Sequence, residues 1–198
     1  MNASPRFLAL GDSYTIGEGV AEAERWPVQL AQALGIAAPD ILARTGWTTD
    51  ELAAAMAQHA FDPPYDLVTL LIGVNNQYRG RDLANYRDEF RALLERAIEL
   101  AGGRPGRVIV VSIPDWGVTR FGRESGRDAA QTAREIDRYN TANAEISRSA
   151  RVHHVDVTAF SREDPGLVVA DGLHPSGTAY RRWSEAILPV ARRALETR

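Results

Sequence analysis

The sequence contains no cysteine, and this absence excludes three kinds of chemistry. Disulfide bonds, zinc sites built on thiolates and cysteine nucleophiles all require that residue. The lack of cysteine does not by itself decide the cellular compartment.

Long hydrophobic runs are also missing. No apolar stretch approaches the roughly 20 residues that a membrane-spanning helix needs. The first apolar run, at positions 7–10, is too short for the core of a signal peptide, and Gly11 and Asp12 interrupt it at once. We therefore expect a cytoplasmic protein with no membrane span.

No excess of charge of either sign is present. The formal net charge is −3, and basic residues are scattered among acidic ones. A phosphate backbone would find no basic stripe on such a chain, so nucleic acid is not an expected partner. The 198 residues, 44% hydrophobic and 25% charged, match an ordinary globular protein. We predict a single domain over residues 1–198.

Apolar segments of strand length alternate with longer segments of helical period. Strands are predicted at 6–10, 41–43, 67–72, 108–113 and 152–157, and helices near 26–34, after 48, and at 83–101, 128–150 and 176 onward. Pro189 is expected to kink or break the last helix. This alternation predicts an α/β protein whose five-stranded parallel sheet is covered by helices on both faces.

Polar or flexible residues follow four of the five strands. Ser13 follows the first, Gly46 the second and Asn75 the third, while Asp171 and His174 lie between the fifth strand and the last helix. Ligands of open parallel sheets bind beyond the carboxyl ends of the strands. Any one of these residues alone is better explained as a helix cap or turn residue. Their joint occurrence at one edge favours a site.

These residue types are the ones that acyl transfer requires. Ser13 needs a base to remove its proton, and a histidine such as His174, ordinarily with a pKa of about 6.5, suits that task at neutral pH. Asp171 would orient the imidazole. The oxyanion of a tetrahedral intermediate needs donors, which the Ser13 N–H, the Gly46 N–H and the Asn75 amide are predicted to supply.

Four short segments that contain these residues resemble, in sequence and in order, the four motif blocks of the SGNH hydrolases, also called the GDSL esterase/lipase family. The matching segments, in order, are Gly11-Asp12-Ser13-Tyr14, Gly46, Gly73-Val74-Asn75-Asn76 and Asp171-Gly172-Leu173-His174-Pro175. The resemblance implies a flavodoxin-like three-layer α/β/α sandwich. It also implies Ser13 as nucleophile, His174 as base and Asp171 as its orienting acid, with no metal or organic cofactor.

Two positions depart from the usual family blocks. Tyr14 stands where the first block usually has leucine, and we expect a modest consequence because that position supports the loop. Asn76 stands where the third block usually has aspartate, so this position can still hydrogen-bond the neighbouring loop but brings no negative charge to it.

Substrate contacts are predicted from the loops that follow the strands. Trp47, Tyr78, Arg79 and Trp116 are the candidates, together with Asp12 beside the serine. Because the loops are short, an enclosed tunnel for a long chain is not expected. The sequence therefore predicts a small ester substrate with a short acyl group, such as acetyl.

Other interpretations remain open at this level. The chain could be a non-catalytic relative that binds a carbohydrate or acyl ligand, or a thioesterase or lysophospholipase of the same family. A metal site at His153, His154 and Asp156 is disfavoured, because neighbouring residues of a strand point to opposite faces.

Overall fold

The computed structural model describes residues 4–196 of the chain. Five parallel strands form one sheet in the order β2-β1-β3-β4-β5. The strands are β1 (Phe7–Gly11), β2 (Asp40–Ala43), β3 (Leu67–Leu71), β4 (Val108–Val111) and β5 (His153–Val155). The predicted α/β class and parallel sheet are confirmed.

Helices connect successive strands and flank the sheet. They are α1 (Ser13–Ile16), α2 (Trp26–Leu34), α3 (Thr49–Gln58), α4 (Val74–Tyr78), α5 (Leu83–Leu100), α6 (Arg120–Glu124), α7 (Ala129–Ser149), α8 (Thr158–Glu163) and α9 (Gly177–Glu196). Helix α2 packs against α9, whereas α5 packs against both α3 and α7. The helices thus form two groups, as right-handed crossovers between parallel strands require.

The central strands are buried at every position, which explains their continuous apolar sequence. All five residues of β1 and of β3 are buried, and the two strands pair in register from Phe7 opposite Leu67 to Gly11 opposite Leu71. Strands covered on both faces need apolar side chains on both. Since β1 and β3 end at the same level, Ser13 and Asn75 emerge at the same edge.

One helix differs from the sequence prediction, and another shows whether Pro189 breaks it. Asn75 lies inside the short helix α4, where a loop was expected. Pro189 does not break α9, which continues to Glu196. Pro189 and Glu185 are both exposed, so water can bond the Glu185 carbonyl that proline leaves without a partner. Within residues 4–196 no helix is both long and apolar enough to cross a membrane.

Candidate active site

Ser13 is the first residue of α1 and follows β1 after a single intervening residue. That residue, Asp12, caps the helix by accepting a hydrogen bond from the backbone N–H of Tyr14 at 3.0 Å. The sheet fixes where the turn begins and the cap fixes its direction. Ser13 is 4% exposed, so little solvent competes for its hydroxyl.

Asp171 and His174 form a hydrogen-bonded pair at the same edge of the sheet. The imidazole Nδ1 lies 2.6 Å from Asp171 Oδ2. The other carboxylate oxygen accepts hydrogen bonds from the backbone N–H groups of Leu173, at 2.7 Å, and His174, at 3.0 Å. Because Nδ1 donates to a carboxylate, the lone pair of the neutral imidazole is on Nε2.

The carboxyl group of Asp171 is held in its ionised form. Partial burial alone would raise its pKa, but the hydrogen bonds from the His174 ring and from two backbone N–H groups outweigh burial and lower the pKa below its usual value. Asp171 therefore faces His174 as an anion, the form that stabilises a protonated imidazole.

Helix α6 holds the segment that carries this pair. The backbone N–H of Phe121 donates to the Gly172 carbonyl at 2.9 Å, and Arg120 Nη2 donates to the Ala170 carbonyl at 2.5 Å. Gly172 has a φ of +75°, and a Cβ there would lie 2.5 Å from Arg120 Nε. The backbone angle favours glycine at this position, and a Cβ there would also force the Arg120 side chain to move.

Gly46 lies on the loop after β2, Asn75 lies in α4, and these two segments contact each other. Asn75 Nδ2 donates to the Trp47 carbonyl at 2.9 Å. Arg79 Nη2 donates to the Gly46 carbonyl at 2.7 Å, and Arg79 also pairs with Glu51 at 3.4 Å. The Gly46 φ of +88° is accessible mainly to glycine. These contacts hold the two predicted oxyanion donors near each other.

The side chain of Asn76 holds the first residue of α3, Thr49, by two hydrogen bonds. Its Oδ1 accepts a hydrogen bond from the Thr49 backbone N–H at 3.1 Å, and its Nδ2 donates to Thr49 Oγ1 at 2.6 Å. The Thr49 hydroxyl in turn donates to Glu89. The amide of Asn76 thus bonds both the backbone N–H and the hydroxyl of Thr49. The start of α3 is therefore held in place without the negative charge of the usual aspartate.

One cavity of about 180 Å³ brings most of the predicted site residues together. Its walls include Ser13, Gly46, Asn75, Tyr78, Trp116 and His174. The Trp116 ring is fixed by its Nε1, which donates to Gln77 Oε1 at 2.7 Å. Tyr78 packs edge-on against Trp116 and is 38% exposed, so its ring lies at the mouth of the cavity.

Three of the predicted substrate-binding residues do not line this cavity. Trp47 packs against the core, and Arg79 holds the Gly46 loop. Asp12 is completely buried. Burial raises the pKa of Asp12 to about 7, against the opposing effect of the hydrogen bond from the Tyr14 N–H. The geometry gives these residues supporting positions rather than contact with the cavity.

Other cavity residues were not identified from the sequence. Tyr14, expected only to support a loop, lies in the wall with its ring centroid 5.2 Å from that of His174. Leu173 and Phe121 also line the cavity. Tyr14 and Leu173 are chain neighbours of Ser13 and His174, and that adjacency was the available signal. Phe121 had none.

The two consecutive histidines of β5 have no shared ligand role in this structure. His154 Nε2 lies 2.8 Å from Asn143 Oδ1, and burial lowers the pKa of His154. Among residues 4–196, no group of three or more histidine, aspartate or glutamate side chains is placed to hold a metal ion.

Solved structures share this fold at low sequence identity. The acetylxylan esterase Axe2 from Geobacillus stearothermophilus is 20% identical, with a TM-score of 0.72, and the match covers 96% of this chain and 95% of that one. The psychrotrophic esterase EstA from Pseudoalteromonas sp., a structure inhibited by monoethylphosphonate, is 18% identical with a TM-score of 0.67, covering 97% and 99%. A structure named TesA is 19% identical with a TM-score of 0.71, covering 96% and 99%.

No curated protein matches this chain in sequence. The model of the GDSL-like Lipase/Acylhydrolase family, however, matches residues 9–182, from the middle of β1 to the first turns of α9. That range contains every block on which the resemblance was based. The chain therefore belongs to the GDSL-like lipase/acylhydrolase family, as its sequence blocks indicated.

Proposed function

We propose that this protein is a serine esterase that hydrolyses carboxylic esters with short acyl groups through an acyl-enzyme on Ser13. The observation that carries the proposal is the 2.6 Å contact between Asp171 and His174 beside a small cavity that Ser13, Gly46 and Asn75 also line. This set contains a nucleophile, an oriented base and oxyanion donors.

In the first step, Ser13 Oγ bonds to the ester carbonyl carbon while His174 Nε2 takes the hydroxyl proton. The carbonyl oxygen becomes an oxyanion, which accepts hydrogen bonds from the backbone N–H groups of Ser13 and Gly46 and from Asn75 Nδ2. Asp171 stabilises the imidazolium.

The intermediate then collapses. The bond from carbon to the alcohol oxygen breaks, and that oxygen takes the proton from His174 as the alcohol leaves. Water next attacks the acyl-enzyme carbon while His174 accepts a proton from it. Breaking the bond to Ser13 Oγ releases the carboxylic acid, and His174 returns the proton to the serine.

The walls of the cavity support a short acyl group. The apolar sides of the cavity are formed by Val74, Trp116, Phe121 and Leu173. Tyr78 lies at the mouth, and among the described residues it is the large hydrophobic side chain that is exposed to solvent. The volume of this cavity, about 180 Å³, suits a small acyl group.

Hydrolysis of p-nitrophenyl acetate tests the proposal. Ser13→Ala is expected to lower kcat about 10³-fold or more, because the triad acts as a unit. Ser149→Ala, at the exposed end of α7, is a matched serine control and should retain full activity. Equal, near-background rates for the wild type and Ser13→Ala would instead favour a non-catalytic binding protein.

Covalent labelling identifies the nucleophile directly. A phosphonate ester is a suitable probe, since the fold relative EstA is inhibited by monoethylphosphonate. Peptide mass spectrometry should find the adduct on Ser13. An adduct on Ser112 or Ser176 would overturn the assignment.

A further inference from the structure

Three aromatic side chains that line the proposed catalytic cavity pack against one another. The ring centroid of Tyr78 lies 5.2 Å from that of Trp116 and 6.3 Å from that of Phe121, and the Trp116 and Phe121 centroids are 6.1 Å apart. Tyr78 is the exposed member of this group, whereas Trp116 is buried. The mouth of the cavity is therefore bounded by aromatic rings.

The guanidinium group of Arg127 contacts two of these rings. Arg127 lies two residues before the start of α7, and its Cζ is 4.4 Å from the centroid of the Tyr78 ring and 5.4 Å from that of Trp116. A guanidinium group over the face of an aromatic ring is attracted by it. Arg127 Nη2 also donates a hydrogen bond to the Tyr78 carbonyl at 2.9 Å. One side chain thus holds both the backbone and the ring of Tyr78.

The two rings that Arg127 contacts differ in how else they are held. Trp116 is buried, and its Nε1 donates to Gln77. Tyr78 is exposed, so fewer neighbours restrict its ring. Within residues 4–196 Arg127 forms no ion pair, so no carboxylate draws its guanidinium group away from Tyr78. Arg127 is therefore placed to fix the direction of the Tyr78 ring.

The alcohol part of an ester lies toward this mouth in the proposed mechanism. Ser13 and His174 are buried, so the reacting atoms lie inside the cavity. The alcohol departs while the acyl group stays bound to Ser13. It therefore leaves through the mouth, where the Tyr78 ring is exposed.

We propose that Arg127 is a positioning residue that fixes the Tyr78 ring as a contact for the alcohol part of the substrate, and that this contact favours alcohols carrying an aromatic ring. The inference rests on the proposed esterase function. A side chain that is already held in place loses less conformational freedom when the ester binds. Pairs of aromatic rings also contribute more than the burial of their area, so a ring gains more from Tyr78 than a small alkyl group does.

Benzyl acetate and ethyl acetate test this inference. Both form the same acetyl-enzyme and release an alkyl alcohol, but only the benzyl ester carries a ring in that alcohol. We expect the wild type to have the higher kcat/KM for benzyl acetate. In Arg127→Ala the benzyl-to-ethyl ratio of kcat/KM should fall about fivefold, the size of one aromatic contact, while kcat/KM for ethyl acetate changes little.

Tyr78→Ala shows whether Arg127 acts through this ring. Tyr78→Ala alone should lower the benzyl-to-ethyl ratio at least as much as Arg127→Ala does. The double variant should then have about the same ratio as Tyr78→Ala, because the two substitutions remove one contact. Losses that multiply in the double variant would overturn the positioning role of Arg127.

Arg123→Ala is the matched control. Arg123 of α6 is also an exposed arginine, but its Nη1 donates to the carbonyl of Val118, which does not line the cavity. This variant should keep the wild-type ratio.

The outcomes separate the two proposals. A wild type that does not prefer benzyl acetate, equal losses for both esters in Arg127→Ala, or an unchanged ratio in Arg127→Ala or Tyr78→Ala would overturn the alcohol contact and leave the esterase proposal intact. Absence of any hydrolysis that depends on Ser13 would overturn both.

Discussion

Asn75 connects helix α4 to the loop after β2 through its side-chain amide. One of its N–H groups bonds the Trp47 carbonyl at 2.9 Å, and the residue lines the cavity. If the other N–H bonds the oxyanion, Asn75→Ala should lower kcat about 10²- to 10³-fold and change KM much less. Steady-state kinetics with p-nitrophenyl acetate would measure both. A variant with raised KM and normal kcat would make Asn75 a substrate-binding residue instead.

Asp12 makes the stability of the protein depend on pH. Burial raises its pKa from 3.8 to about 7, so the folded protein holds this proton more tightly than the unfolded chain does. The stabilising effect of the proton is fully present below pH 3.8 and is lost as pH rises to about 7.

Asp12→Asn removes this titration with little change in shape. The free energy of unfolding of the wild type minus that of the variant should therefore fall by up to about 4 kcal/mol between about pH 4 and about pH 8. Urea unfolding of both proteins across that range is the measurement. A difference that stays constant with pH would contradict the burial argument.

At the scale of elements, helix α6 and the 171–174 segment depend on Gly172. A methyl group there would force the Arg120 side chain to move and so disturb its hydrogen bond to the Ala170 carbonyl, and the φ of +75° adds backbone strain. Gly172→Ala should displace Asp171 and His174 and lower kcat about 10²-fold, because small errors of position at reacting groups are costly.

Gly103→Ala separates displacement from strain. Gly103 has a similar φ of +73°, but a Cβ there meets no atom within 4 Å. Both variants should lose similar stability from the strained backbone, about 1–2 kcal/mol, and only Gly172→Ala should lose activity. Equal kcat values for the two variants would contradict the positioning role of Gly172.

At the scale of the whole molecule, one cluster of buried apolar side chains joins the sheet to both groups of helices. It includes Leu70 of β3, Phe90 of α5 and Trp183 of α9. Because these elements share a core, we expect a single cooperative unfolding transition, consistent with the predicted single domain. Far-UV circular dichroism reports the helices, and fluorescence reports the buried Trp26, Trp116 and Trp183. Separate midpoints for the two signals would contradict a single folding unit.

The sequence by itself determined the fold class and the identity of the candidate catalytic residues. Hydrophobic periodicity reports which faces a segment buries, so the strands, the long helices and the parallel sheet were readable. Strand ends then located Ser13, Asn75 and His174. This reasoning placed Asn75 in a loop, because a five-residue helix is too short to show a period.

Only the tertiary structure decided which side chains share a cavity. Phe121 and Trp116 line the same cavity as Tyr14, although more than 100 residues of sequence separate them from it. Their proximity depends on how the separate loops are arranged at the edge of the sheet. The supporting positions of Asp12 and Arg79 and the bracing by Asn76 arise in the same way. Local pattern records burial, whereas the partners of a buried group are set by packing between distant segments.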